Sequence, residues 1–256
     1  MSKTFVIGDL HGGLLGLQQV LDKAPIKPED TLVFLGDYVD GWGDSTATVS
    51  FLIRLSRKQN CIFIRGNHDD LVHQYLLGKE LNENWIKHGG QSSKDGYAVL
   101  PEEEIKEHIR FYESLQDYHI DSANRMYCHA GFQNQNGPQA EWYSTAFYWD
   151  RTLWEMVCAM DPALQPGDIH YPKRLSLFLE IYIGHTPVTK IGATTPTQRV
   201  NVWNIDTGAA FKGRVSIMDV YTKEYWQSAP VWSLYPQEKG RNLMSYNETH
   251  NPRAIE

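Results

Sequence analysis

The chain has 256 residues, 41% hydrophobic and 21% charged, with a formal net charge of −7. That is the composition of a soluble globular protein of one large or two small domains. An acidic balance with no Lys/Arg-rich run argues against nucleic acid as a main ligand, because phosphate-backbone binding needs a basic footprint.

No apolar stretch is long enough to span a membrane, and the opening MSKTFVIGDLHGG lacks the plan of a signal peptide. A cytoplasmic protein without a membrane partner is expected. Cys61, Cys128 and Cys158 are too scattered for a disulfide framework and are expected to be buried free thiols.

In chain order, the first element is a short β-branched run in TFVIGDLHG (4–12), read as a buried strand that ends in a polar turn. Leu14, Leu17, Leu21 and Ala24 follow with helical spacing. The pattern repeats in TLVFLGDYVDG (31–41), then a helix through Val49, Leu52 and Ile53, capped at Asp44 or Ser45. A third run is CIFIRGNHDD (61–70). PEEEIKEHIRFYESL (101–115) opens with Pro and three Glu, as a helix N-terminus should. RMYCHAG (125–131) and EIYIGHTP (180–187) give two more strand ends. RVNVWNID (199–206) reads as a strand and 214–228 as a hairpin. The domain is expected over 1–235, and 236–256 as a loose polar tail. Alternating strands and helices followed by a β-rich half predict an α/β fold with mixed sheets, whose ligands bind beyond the carboxyl ends of strands.

Five polar turns at five strand ends would then meet at one cleft. They carry Asp9, His11, Asp37, Asp40, Asn67, His68, His129 and His185. Carboxylate, amide and imidazole donors without a thiolate suit two borderline divalent ions, Mn²⁺, Fe²⁺ or Zn²⁺. Two adjacent carboxylates need a nearby cation, and Asp37 could bridge two ions. Such a pair clamps an in-line displacement and makes water reactive.

The motifs GDLHG (8–12), GDYVDGW (36–42), GNHD (66–69), HAG (129–131) and GHT (184–186) stand in the order and approximate spacing of a known family. The chain resembles the calcineurin-like metallophosphoesterases, in particular the phosphoprotein phosphatase branch and its bacterial serine/threonine phosphatase-like members. The resemblance implies a single-domain, four-layer α/β/β/α sandwich and two divalent metal ions, Mn²⁺ foremost. It implies Asp9, His11 and Asp37 at one metal, and Asp37, Asn67, His129 and His185 at the other. His68 would be the general acid, Asp40 its orienting carboxylate, and Asn67 would also touch substrate.

One departure stands out. The family carries Arg where this chain has Gly41, and Gly where it has Trp42. Arg151 is expected to bind phosphate in its place, a surface salt bridge being the alternative for that side chain. Gly41 would leave space and Trp42 would form a wall, while Trp42, Trp149 and Trp154 are read as packing residues ahead of base-stacking platforms. The implied activity is phosphomonoester hydrolysis, plausibly on phosphoserine or phosphothreonine in proteins. The alternatives are a dinucleoside polyphosphate hydrolase, with a base on Trp42 or the Trp-rich 142–154 region, and a catalytically silent binding module. WIKHGGQSSKDGY (85–97) is either part of the substrate mouth or a simple loop. Arg65 should pair with an acid, and Asp206 should be a structural strand-end acid. His73, His108, His119, His170 and His250 should lie at the surface or cap helices.

Overall fold

Alternate side chains along each strand meet different neighbours in the computed structural model, which describes residues 2–80 and 83–242. In β1 (Thr4–Ile7), Phe5 and Ile7 pack with helices while Val6 packs toward a second sheet. In β2 (Thr31–Phe34), Leu32 and Phe34 face the helices and Val33 the other sheet. This period of two is what a strand buried on both faces requires.

The first sheet continues with β3 (Asn60–Phe63). The second is built from β4 (Tyr118–Ile120), β5 (Arg125–Cys128), β6 (Glu180–Ile183), β7 (Thr197–Arg199) and β8 (Val202–Asn204). The chain then returns to the first sheet with β9 (Ser216–Asp219) and β10 (Tyr225–Gln227). The orders are β10-β9-β1-β2-β3 and β4-β5-β6-β8-β7. β1, β2 and β3 are mutually parallel, as are β5, β6 and β8; the remaining pairs are antiparallel.

Three apolar layers follow. Tyr127 and Tyr182 stack 5.0 Å apart between the sheets, beside Val33, Ile64 and Ile205. The outer face of the first sheet is covered by α1 (Leu14–Lys23), α2 (Ser45–Ser56), α3 (Asn67–Leu76) and the helix Glu102–Glu113. The outer face of the second is covered by the helix Thr152–Ala159 and neighbouring short turns. The expected α/β/β/α layering with mixed sheets is therefore what the chain adopts.

The run 199–206 is not one strand. Val200 adopts a left-handed φ of 55°, so β7 and β8 form a two-residue hairpin instead. The hairpin expected over 214–228 is β9–β10. His108 is not at the surface: it lies buried between Ser50 Oγ and Tyr97 OH, each 2.9 Å from a ring nitrogen. His170 is exposed, and His250 lies outside the described residues. Arg65 pairs with Asp117 at 3.3 Å as expected. Of the cysteines only Cys128 is buried; Cys61 is half-buried and Cys158 exposed. Residues 236–242 rest on the body, where Glu238 accepts the Gly43 N–H at 2.6 Å. Residues 243–256 lie outside the described part. No described helix is long and apolar enough to cross a membrane.

Candidate metal centre and substrate cavity

Parallel strands end at the same edge of a sheet, so the turns after β1, β2 and β3 are neighbours. Backbone bonds lash them together. Leu10 N–H and His11 N–H both donate to Asp37 O, at 3.0 and 2.9 Å, and Gly12 N–H donates to Tyr38 O at 2.9 Å. The Asp69 carboxylate is a second brace. It accepts N–H groups from Asp37 (2.8 Å), Tyr38 (2.9 Å) and Gly66 (2.8 Å), joining the β2 turn to the first turn of α3. Four site residues, His11, Asp37, Asp40 and His185, hold left-handed φ values of 50–70°. Non-glycine residues take that conformation only where surrounding structure compels it, which is common at functional sites.

The turns converge as expected. Asp37 Oδ1 lies 3.4 Å from His129 Nε2, and Asp37 Oδ2 lies 3.5 Å from His11 Nε2. One carboxylate therefore faces two groups of donors. On the first side, Asn67 Oδ1 is 3.3 Å from His129 Nε2 and 2.9 Å from His185 Nδ1. Asp37, His129 and His185 form one tight group, and His11, Asp37 and His68 another. Asp9 is the outlier. It is 3.8 Å from His11 Nε2 and stands in neither tight group; its oxygens accept the His185 N–H at 3.1 and 3.3 Å.

The donor set fits divalent cations on its chemistry. His129 Nδ1 lies 2.7 Å from Leu35 O and His11 Nδ1 lies 3.0 Å from Asp40 O. Each carbonyl takes the Nδ1 proton, so Nε2 is the nitrogen toward Asp37 and can offer its lone pair to a cation once it carries no proton itself. His185 Nε2 is buried without a hydrogen-bond partner among the described residues. The electrostatics point the same way. Burial and Asp206 push the Asp9 carboxyl well above the usual carboxylate range. Burial would raise Asp37 as well, but His129, His68 and His11 hold it well below that range. Burial would lower His129, yet Asp37 and Asp9 carry it up to about 10. A proton on His129 offsets charge there that a bound cation would offset instead. Burial takes His11 and His185 well below the ordinary imidazole value. Asp206, a buried acid that accepts Gly208 N–H at 2.9 Å, is pushed up to about 6 by burial.

Beside the cluster, His68 Nδ1 is 2.6 Å from Asp40 Oδ2. Asp40 is fully buried and held from two further directions: Trp85 Nε1 donates to Oδ2 and Ser93 Oγ to Oδ1, both at 2.5 Å. The 85–97 segment is thus part of the site. It holds Asp40, and Asn84, Trp85 and His88 line a cavity of about 350 Å³ together with His68, Trp149, Arg151 and Arg241. Arg151 is exposed there, with Nη1 donating to Thr186 Oγ1 at 3.1 Å. Trp149 is 46% exposed and also lines an adjoining cavity of about 390 Å³, with Tyr143 and Arg151.

Trp42 does not form the expected wall. It is fully buried, donates Nε1–H to Ala209 O at 2.8 Å and stacks on Tyr235. The sequence reading also missed Asp69, Ser93 and Arg241. Asp69 had a signal, since it closes the quoted GNHD, and Ser93 lies in the quoted 85–97 segment; Arg241 is brought in only by tertiary packing.

The family model for calcineurin-like phosphoesterases matches residues 2–188. A protein of Bacillus thuringiensis (strain Al Hakam), named bis(5'-nucleosyl)-tetraphosphatase PrpE [asymmetrical], is 28% identical over 254 residues, covering 93% of this chain and 98% of its own. A protein of the same name from Bacillus anthracis (strain CDC 684 / NRRL 3495) is 29% identical with the same coverage. Among solved structures, one described as a candidate diadenosine tetraphosphatase superposes with a TM-score of 0.60 at 18% identity, over 88% of this chain and 92% of its own. A cold-active protein tyrosine phosphatase mutant superposes at 0.57 and 14% identity, over 89% and 80%. The last two share the fold.

Proposed function

Because the chain belongs to the calcineurin-like phosphoesterase family, we propose that it hydrolyses the polyphosphate chain of dinucleoside polyphosphates such as bis(5'-nucleosyl) tetraphosphate. The family chemistry alone would equally serve a serine/threonine phosphatase. Two features favour the nucleotide. Relatives aligned over nearly their whole length bear that name. The observation that carries the reading is Trp149, whose part-exposed indole lies on the wall that also holds His68 and Arg151, with a second cavity sharing Trp149 and Arg151. A phosphopeptide needs no such platform, whereas a nucleobase gains by stacking on one.

Two divalent ions, Mn²⁺ foremost, would supply Lewis acidity and an activated water when bound. Asp9, His11 and Asp37 would hold one; Asp37, Asn67, His129 and His185 the other. His68, oriented by Asp40 at Nδ1, presents Nε2 to the departing phosphate oxygen as the general acid. Trp85 and Ser93 keep Asp40 in place. Arg151 and the Asn67 amide meet phosphoryl oxygens, and Trp149 receives a base.

With Mn²⁺, bis(5'-adenosyl) tetraphosphate should be turned over with a kcat/KM at least about 10-fold above that for a phosphoserine peptide or p-nitrophenyl phosphate, the lower end of what one stacked base contributes. Trp149→Ala should raise KM for the dinucleotide and leave p-nitrophenyl phosphate unchanged. A phosphopeptide turned over as well or better would return the assignment to a protein phosphatase.

A further inference from the structure

Arg57, Arg65 and Arg125 each reach a carboxylate. Arg241, which lines the substrate cavity, makes no ion pair among the described residues; its Nη1 lies 3.4 Å from His11 Nε2. The way it gets there is specific. A Cβ on Gly41 would stand 3.3 Å from Arg241 Cγ, and one on Gly89 would stand 3.0 Å from it. The arginine stem therefore runs close against two positions that lack a side chain, nearer than a Cβ at either would ordinarily sit. The backbone is pinned behind it, Arg241 N–H donating to Ala210 O at 2.9 Å, and the guanidinium carbon lies 5.4 Å from the centre of the Phe211 ring. The preceding residue is fitted too: a Cβ on Gly240 would come within 2.6 Å of the Trp42 indole. Gly41-Trp42 and Gly240-Arg241 thus interlock, a glycine on each side receiving the large side chain of the other.

A guanidinium beside a cluster built for cations is repelled when cations arrive, unless an anion comes between them. Its planar fork matches phosphoryl oxygens, and among the described residues no carboxylate lies within ion-pair distance of it, Asp206 acting on it only from farther off. We propose that Arg241 is a phosphate-binding residue of the site, supplying from the far part of the chain the anion contact that Gly41 does not make. The inference rests on the phosphohydrolase reading above but not on the choice of a dinucleotide.

The test is binding of inorganic phosphate to the full-length, Mn²⁺-loaded protein by titration calorimetry. Arg241→Met keeps the stem in place and removes the charge. It should weaken phosphate binding about 10- to 100-fold, the range for a hydrogen bond to a charged group, with Mn²⁺ content by elemental analysis unchanged. Arg241→Lys should fall between, and Lys239→Ala, on the exposed neighbour, should bind as wild type does. Unchanged phosphate affinity in Arg241→Met overturns the proposal. So does equal weakening by Lys239→Ala, which would reduce the effect to diffuse charge. Tighter Mn²⁺ uptake with unchanged phosphate binding also overturns it, making Arg241 a stand-in for a cation. No nucleotide enters this experiment, so failure to hydrolyse a dinucleoside tetraphosphate would count only against the substrate reading.

Discussion

His68 reaches the cavity with one ring nitrogen committed. Asp40, itself gripped by Trp85 and Ser93, holds Nδ1, so Nε2 is the ring nitrogen left outside that bond. The same imidazole also stands in a tight group with His11 and Asp37, where Asp9 was expected. A ring nitrogen that carries a proton for a leaving group cannot also coordinate a cation. The two roles therefore differ in what a substitution does. His68→Asn should cut turnover by about 10²–10⁴-fold, the usual scale of acid–base catalysis, with the metal content of the purified protein retained. Loss of one metal equivalent in that variant would make His68 a ligand and leave the leaving group to another donor.

At the scale of elements, the site depends on turns being held rather than on strands being strong. Asp69 satisfies three buried N–H groups from two turns. Replacing it with Ala orphans all three, at a cost of about 1–3 kcal/mol for each donor that finds no water. Asp69→Ala should therefore lower the urea midpoint and weaken Mn²⁺ binding together, although Asp69 is not among the expected ligands. A variant with wild-type midpoint would show that the turns hold without it.

This is also the scale at which the sequence was readable. Each expected donor sits within a few residues of a short apolar run, and parallel pairing aligns the ends of such runs, so the convergence of Asp37, Asn67, His129 and His185 follows from local pattern plus topology. What escaped depends on approach through space. Trp42 looked like a cavity wall because nothing local shows Ala209 and Tyr235 closing over it. His108 looked superficial because Ser50 and Tyr97 come from other helices. Arg241 lies 200 residues from the glycine its stem runs against, and no spacing rule links them.

Across the whole molecule, buried charge ties stability to pH. His129 is carried up to about 10, above the roughly 6.5 of an unfolded histidine. A raised folded value means that its contribution is complete below about pH 6.5 and is lost as the pH climbs through 10. Asp69, pushed up to about 7 by burial and Asp37, loses its contribution in the same direction but by neutral pH. His11 and His185 are depressed, so theirs is present above about 6.5 and lost on acidification. The metal-free protein should thus be most stable near neutrality and unfold at steadily lower urea from pH 7 to 10. Bound Mn²⁺, by displacing the His129 proton, should flatten that decline. Urea titrations with chelator or with Mn²⁺ across this range check it. A rising midpoint without metal would mean that the proton on His129 does not hold the cluster together.

The seating of β1 between β2 and β9, and of Arg241 between Gly41 and Gly89, also fixes an order of events during synthesis. β1 waits for residues 216–219 before its second edge is covered, and the cleft lacks one wall until residue 241 is out. A nascent polypeptide shorter than that carries the acidic and imidazole groups but not the completed mouth.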